Sequence, residues 1–242
     1  MPDILAAAYA AFGAAGMGFV PIAIWLAFWL FEDWRHPEPR RRLFIAFMVG
    51  MLAVPIVLSL EGLAVSVLPY GYLLLFLWAV IEEVVKVLMG WLFVLQHRSV
   101  DEPIDIPIYL ITVALGFAAV ENTLFLFTPL IEGATLTSAI TGNLRFIGPT
   151  LIHVLGASIV GGAMAFAFFR SRTEKIYYAL VGVILASGLH TVFNFLIITT
   201  GAGRVLTVFL AVWVAIIFVL LALERIKLLR PPAWWEKIFI KT

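Results

Sequence analysis

The chain has 242 residues, 63% of them apolar and 13% charged, with a mean hydropathy of +1.08. Soluble domains carry nearer 25% charge, so this composition describes a membrane protein in which nearly the whole chain is membrane domain. A net charge of +1 offers no basic field for nucleic acid, and the absence of cysteine excludes disulfides, thiolate metal sites and a cysteine nucleophile.

Apolar runs and their punctuation predict an all-α, polytopic transmembrane helical bundle of about seven spans, forming one membrane-embedded domain over residues 1–242. Span one, residues 4–31, follows Asp3 without a basic stretch and reads as a retained span rather than a cleaved signal peptide. Pro21 predicts a kink in it rather than a break. Residues 32–42 form a polar loop with Arg35, Arg40, Arg41 and Arg42; span two covers 43–67 and turns at Pro69-Tyr70-Gly71. Span three is 72–95. An acidic loop, 97–107, holds Arg98, Asp101, Glu102 and Asp105, and span four is 108–128. The connection 129–142 has Glu132 as its only charge, and a half-helix hidden there would raise the count to eight. Span five, 143–169, has Arg145 near its start and Pro149 one turn on. The short basic loop 170–175 leads to span six, 176–199, a Gly201-Ala202-Gly203 turn, and span seven, which ends near Leu223. The tail, 224–242, carries Lys237, Lys241 and a Trp234-Trp235 pair suited to the membrane interface. Thirteen of the sixteen Lys/Arg lie in loops one, three and five and the tail, whereas the opposite side has Arg204 alone. The positive-inside rule therefore predicts a cytoplasmic C-terminus and an external N-terminus. No internal repeat supports a transporter built from inverted halves.

Within the spans the costly residues are few: Glu82, Glu83 and Lys86 on span three, Glu121 and Asn122 on span four, Arg145 and His153 on span five, His190 and Asn194 on span six. Each charge at a helix centre costs about 2.5–3.5 kcal/mol on insertion scales, which makes an intramembrane cluster a functional hypothesis by default. At 1.5 Å per residue, these groups fall roughly 8–18 Å below the outer helix ends, in one layer contributed by four helices. Glu82 and Lys86 are i,i+4 and are expected to pair along the helix, while Glu83, rotated by about 100°, faces elsewhere and is the preferred water activator. His190 and Asn194 are also i,i+4. One net negative charge remains in the layer, so the glutamates are expected to share a proton and titrate as a group.

All four aspartates (Asp3, Asp33, Asp101, Asp105) lie in loops or at the terminus, which excludes an intramembrane aspartyl dyad. There is no HExxH helix and no GxSxG elbow; Ser187 near His190 is the sole serine pairing of interest. Glutamate and histidine remain, acting on water directly or through a zinc ion.

Glu82-Glu83-x-x-Lys86, Phe117-x-x-x-Glu121-Asn122, Arg145 followed by His153, and His190-x-x-x-Asn194 resemble the four motifs of PrsW-type intramembrane proteases. These are similar to the wider superfamily of CAAX prenyl endopeptidases and bacteriocin-processing enzymes, where His usually stands in place of Glu121. The resemblance implies a peptidase with a catalytic core at about residues 72–199, in a bacterial or archaeal cell membrane. Its partners would be membrane lipids and a single-span membrane protein substrate, an anti-sigma factor cleaved at site 1 on its outer side. Carried over by motif, Glu82 or Glu83 with His153 would activate water, and His190 and Asn194 would stabilise the oxyanion. Lys86, Glu121, Asn122 and Arg145 would support them. Catalysis without metal is favoured; were zinc used, Glu83, Glu121, His153 and His190 would be its ligands. The readings in competition are a proton- or cation-coupled carrier using the Glu/His/Lys cluster as a relay, and a non-catalytic scaffold.

Overall fold

The computed structural model describes residues 4–32, 37–199 and 204–232. The expectations for Asp3, Asp33, Arg35, Gly201-Ala202-Gly203, Trp234-Trp235, Lys237 and Lys241 lie outside the described residues. Among the described residues eight α-helices follow one another: α1 (Ile4–Glu32), α2 (Arg40–Val67), α3 (Tyr72–Gly90), α4 (Asp105–Ile131), α5 (Thr135–Ile147), α6 (Pro149–Phe166), α7 (Arg172–Thr199) and α8 (Val205–Lys227). A π-helical turn, Trp91–Leu95, prolongs α3. Among the described residues every regular element is helical, as a chain spanning a bilayer by closed backbone hydrogen bonding requires.

Among the described residues six stretches are long and apolar enough to cross a membrane: Leu5–Trp29, Arg40–Val67, Asp105–Ile131, Ile140–Phe166, Arg172–Thr199 and Val205–Lys227. The third expected span is not among them, because α3 is 19 residues long and contains Glu82, Glu83 and Lys86. The bundle is built around α4, buried continuously from Asp105 to Ala119 and packed against α1, α2, α5 and α6. Its contact with α2 is unusually close. A Cβ at Gly50 would meet the Val113 carbonyl, and one at Gly116 would meet that of Phe47, so the two backbones approach where neither has a side chain. The outward faces carry Phe12, Ile184, Leu210, Phe218 and other large apolar side chains, as lipid contact demands.

Of the boundaries that differ from the sequence reading, three bear on the site. The expected span five is two helices: α5 ends at Ile147, capped by Gly148, and α6 begins with Pro149 at its first position. A proline there lacks an N–H and clashes with the carbonyl four residues back, and the backbone leaves helical geometry at Gly148 just before it. Arg145 thus lies in the last turn of α5 rather than at the start of span five. The proposed half-helix after Pro129 corresponds to α5 itself. Finally, α4 begins at Asp105, not Ile108. Asp105 is buried rather than in a loop, and its carboxylate accepts the backbone N–H groups of Asp101 and Glu102 at 2.9 and 2.7 Å.

Candidate functional site

Glu82, Glu83 and Lys86 are all buried on α3, at 8%, 1% and 3% exposure. The pairing along the helix differs from the expectation: Lys86 Nζ donates to Glu83 Oε1 at 2.7 Å, an i,i+3 contact, and not to Glu82. Both spacings share a helix face, and the neighbouring helices decide between them. Glu83 faces α6, where a side chain at Gly156 would press on its carboxylate, and α7, where His190 Nδ1 bonds Glu83 Oε1 at 2.9 Å. Glu83 Oε1 thus has two partners, an ammonium and an imidazole nitrogen.

His153 on α6 is held in a similar way. Its Nε2 lies 2.9 Å from Glu121 Oε2, and its Nδ1 is 3.0 Å from Lys86 Nζ. Arg145 reaches the same carboxylate from α5, with Nη2 donating to Glu121 Oε2 at 2.7 Å and Nε to Asn122 Oδ1 at 2.6 Å. Its guanidinium lies over Phe125, 3.9 Å from the ring centroid, and Asn122 passes the network on to Thr150 at 3.0 Å. Arg145, Glu121 and Asn122 therefore form one fork-shaped contact, the geometry that suits guanidinium.

These bonds set the tautomers. A carboxylate accepts, so His190 carries its proton on Nδ1 toward Glu83, and His153 carries its proton on Nε2 toward Glu121. His190 Nε2 and His153 Nδ1, the latter shared with Lys86, each lie 3.9 Å from Glu82 Oε2, which has no hydrogen-bond partner among the described residues. One oxygen and two imidazole lone pairs converge within 4.8 Å of one another. They sit in a cavity of about 440 Å³ between α2, α3, α4, α6 and α7. Asn194 lines it one turn from His190 and makes no hydrogen bond among the described residues. The buried Ser187 hydroxyl has no hydrogen-bond partner among the described residues, and His190 is committed to Glu83, so the serine pairing is not formed.

The convergent donors also revise the expected zinc set. Glu82, His153 and His190 form the cluster, whereas Glu83 and Glu121 bond the far nitrogens of the two histidines. The residues fit a zinc ion: two histidines and a glutamate leave a fourth position open, and each histidine is oriented by a carboxylate behind it. Lys86 Nζ, 3.0 Å from His153 Nδ1, is the group that must give way.

The sequence reading missed Glu61. It is the one ionisable residue in span two, and α2 carries it into the same cavity. The cost argument applied to Glu82 and Glu83 would have found it.

The fold and site define a multi-pass helical membrane protein with a buried Glu/His cluster in a cavity between its helices. A family model described as "PrsW family intramembrane metalloprotease" matches residues 38–222. The chain is 30% identical over 193 residues to the "Protease PrsW" of Geobacillus kaustophilus, covering 77% of this chain and 80% of that one. Over 158 residues it is 30% identical to the "Protease PrsW" of Shouchella clausii, covering 64% and 69%. With the "Protease PrsW" of Bacillus subtilis it shares 26% over 197 residues, covering 77% and 83%. No solved structure matches it. The chain belongs to the PrsW protease family and is a multi-pass membrane peptidase, which removes support from the carrier and scaffold readings.

Proposed function

We propose that this peptidase cleaves a single-span membrane protein of the anti-sigma-factor type near the outer leaflet, with Glu82 rather than Glu83 at the reacting water. The observation that carries this reading is the unpartnered Glu82 Oε2, facing two imidazole lone pairs inside the cavity. In this reading α3 is the seventh span, its charges satisfied inside the bundle, with the N-terminus outside and the C-terminus cytoplasmic. Residues 72–199 form the catalytic core, and α2 completes its cavity.

A water beside Glu82 gives its proton to Oε2 as it attacks the scissile carbonyl, and the resulting carboxylic acid returns that proton to the leaving amine. Asn194 donates to the developing oxyanion. His190 is a poor donor there, because its proton is engaged with Glu83. The Lys86–Glu83 and Arg145–Glu121 ion pairs fix the two carboxylates, so both imidazoles keep a fixed orientation. Were zinc bound, Glu82, His153 and His190 would hold it, with Glu82 a ligand in place of the base. The ion would supply Lewis acidity and lower the proton affinity of water.

The test is reconstituted protein with a single-span substrate, its cleavage products sequenced and its metal content measured. Glu82→Gln should lower the rate by at least about 10²-fold with the fold retained. Full activity in that variant would overturn the reading. Activity that survives chelation in metal-free protein would assign catalysis to the glutamate alone.

A further inference from the structure

Glu61 is half-buried on α2 and lines the cavity that holds Glu82, Glu121, His153 and His190. Apart from Glu82, the other charges of the site are engaged with one another: Glu83 with Lys86, and Glu121 with Arg145. Glu61 makes no hydrogen bond or ion pair among the described residues. It is also not one of the donors that converge with Glu82 on the two histidines. With the histidines neutral, four carboxylates face two cations, so the cavity is short of positive charge. A carboxylate in apolar surroundings is stable only with a cation or proton beside it.

The position of Glu61 indicates which cation. It lies six residues from the end of α2 at Val67, while Glu82 lies ten residues from the adjacent end of α3 at Tyr72. Glu61 is therefore about 6 Å nearer that membrane face, which is about two residues of an extended substrate. The rim around it is apolar, with Leu58, Leu124, Phe125 and Ile198 exposed, and suits a hydrophobic segment. The charges such a segment tolerates near its end are lysine and arginine, whose long stems reach toward the interface. We propose that Glu61 is a specificity-determining residue that binds a lysine or arginine side chain of the substrate, about two residues to the outer side of the cleaved bond. This rests on the peptidase reading above.

The test uses full-length protein in liposomes and single-span model polypeptides that differ only in carrying Lys, Gln or Glu, placed in turn along the outer end of the span. Cleavage sites are mapped by mass spectrometry. Wild-type protein should prefer the Lys form over the Gln form by at least about tenfold in kcat/KM, mainly through KM. Glu61→Gln should bring that ratio toward one, and Glu61→Lys should shift the preference to the Glu form. Binding of uncleaved Lys peptide to Glu82→Gln protein should weaken on adding Glu61→Gln. If Glu61→Gln lowers kcat for all three peptides alike, the residue is a proton donor or a packing group and the assignment falls. Equal cleavage of Lys and Gln forms by the wild type also overturns it. If the wild type cleaves none of the panel, the single-span substrate reading above fails instead.

Discussion

Glu82 and Glu83 are chemically identical neighbours, and their surroundings divide their work. Glu83 stabilises the cluster through Lys86 and His190, while Glu82 is left available. Glu83→Gln therefore leaves a buried ammonium without its counter-ion, at a cost of about 3–5 kcal/mol. A lowered melting temperature in detergent is the expected result. Glu82→Gln removes no hydrogen bond, so its melting temperature should stay near wild type or rise while activity is lost. Metal binding separates the two again. Glu82→Gln or His190→Ala should abolish stoichiometric zinc uptake, whereas Glu121→Gln, behind His153, should weaken it by about 10–100-fold. Uptake should also weaken on acidification, because both imidazoles must be unprotonated to bind. Equilibrium dialysis with zinc across a pH series measures all of these.

Two helix-level features bring the residues together. The break at Gly148-Pro149 lets α5 approach α4 separately from α6, so that Arg145 and His153 meet the same Glu121 oxygen from different helices. Lysine cannot reproduce the two-acceptor fork, so Arg145→Lys should lose a charge-assisted bond worth about 1.5–3 kcal/mol, which corresponds to roughly a ten- to hundredfold fall in kcat/KM. Recovery of wild-type rate by lysine would show that charge alone suffices. The second feature is the close α2–α4 contact at Gly50 and Gly116. Gly116→Val drives a side chain into the Phe47 backbone, which has no rotamer to yield. Overpacking of this kind costs about 1–3 kcal/mol or more, and it would move Glu61 away from the site along with α2. Reduced yield of folded protein, measured by size-exclusion chromatography, is the expected outcome.

At the scale of the molecule, the cysteine-free sequence makes the proposed topology directly testable. Exposed Arg98 and Glu132 fall on opposite sides of α4. In intact cells an impermeant thiol reagent should label Glu132→Cys and not Arg98→Cys; the reverse pattern would invert the topology. Much of this organisation is legible from composition alone. Lipid forces apolar faces outward and backbone polar groups into helices, so the bundle, its main boundaries and the layer of costly residues follow from local sequence. The same cost argument singles out Glu82, Glu83, Lys86, Glu121, Arg145, His153 and His190 before any contact is known. What local sequence leaves open is partnership. Two spacings on α3 allow either glutamate to meet Lys86, and the choice belongs to Gly156 and His190, 73 and 107 residues distant from Glu83. The tertiary structure likewise decided that Glu83 and Glu121 stand behind the histidines, that Glu82 faces the cavity with them, and that Glu61 joins from α2. Helix formation depends on residues a few positions apart, whereas a buried charge is defined by whichever helices happen to surround it.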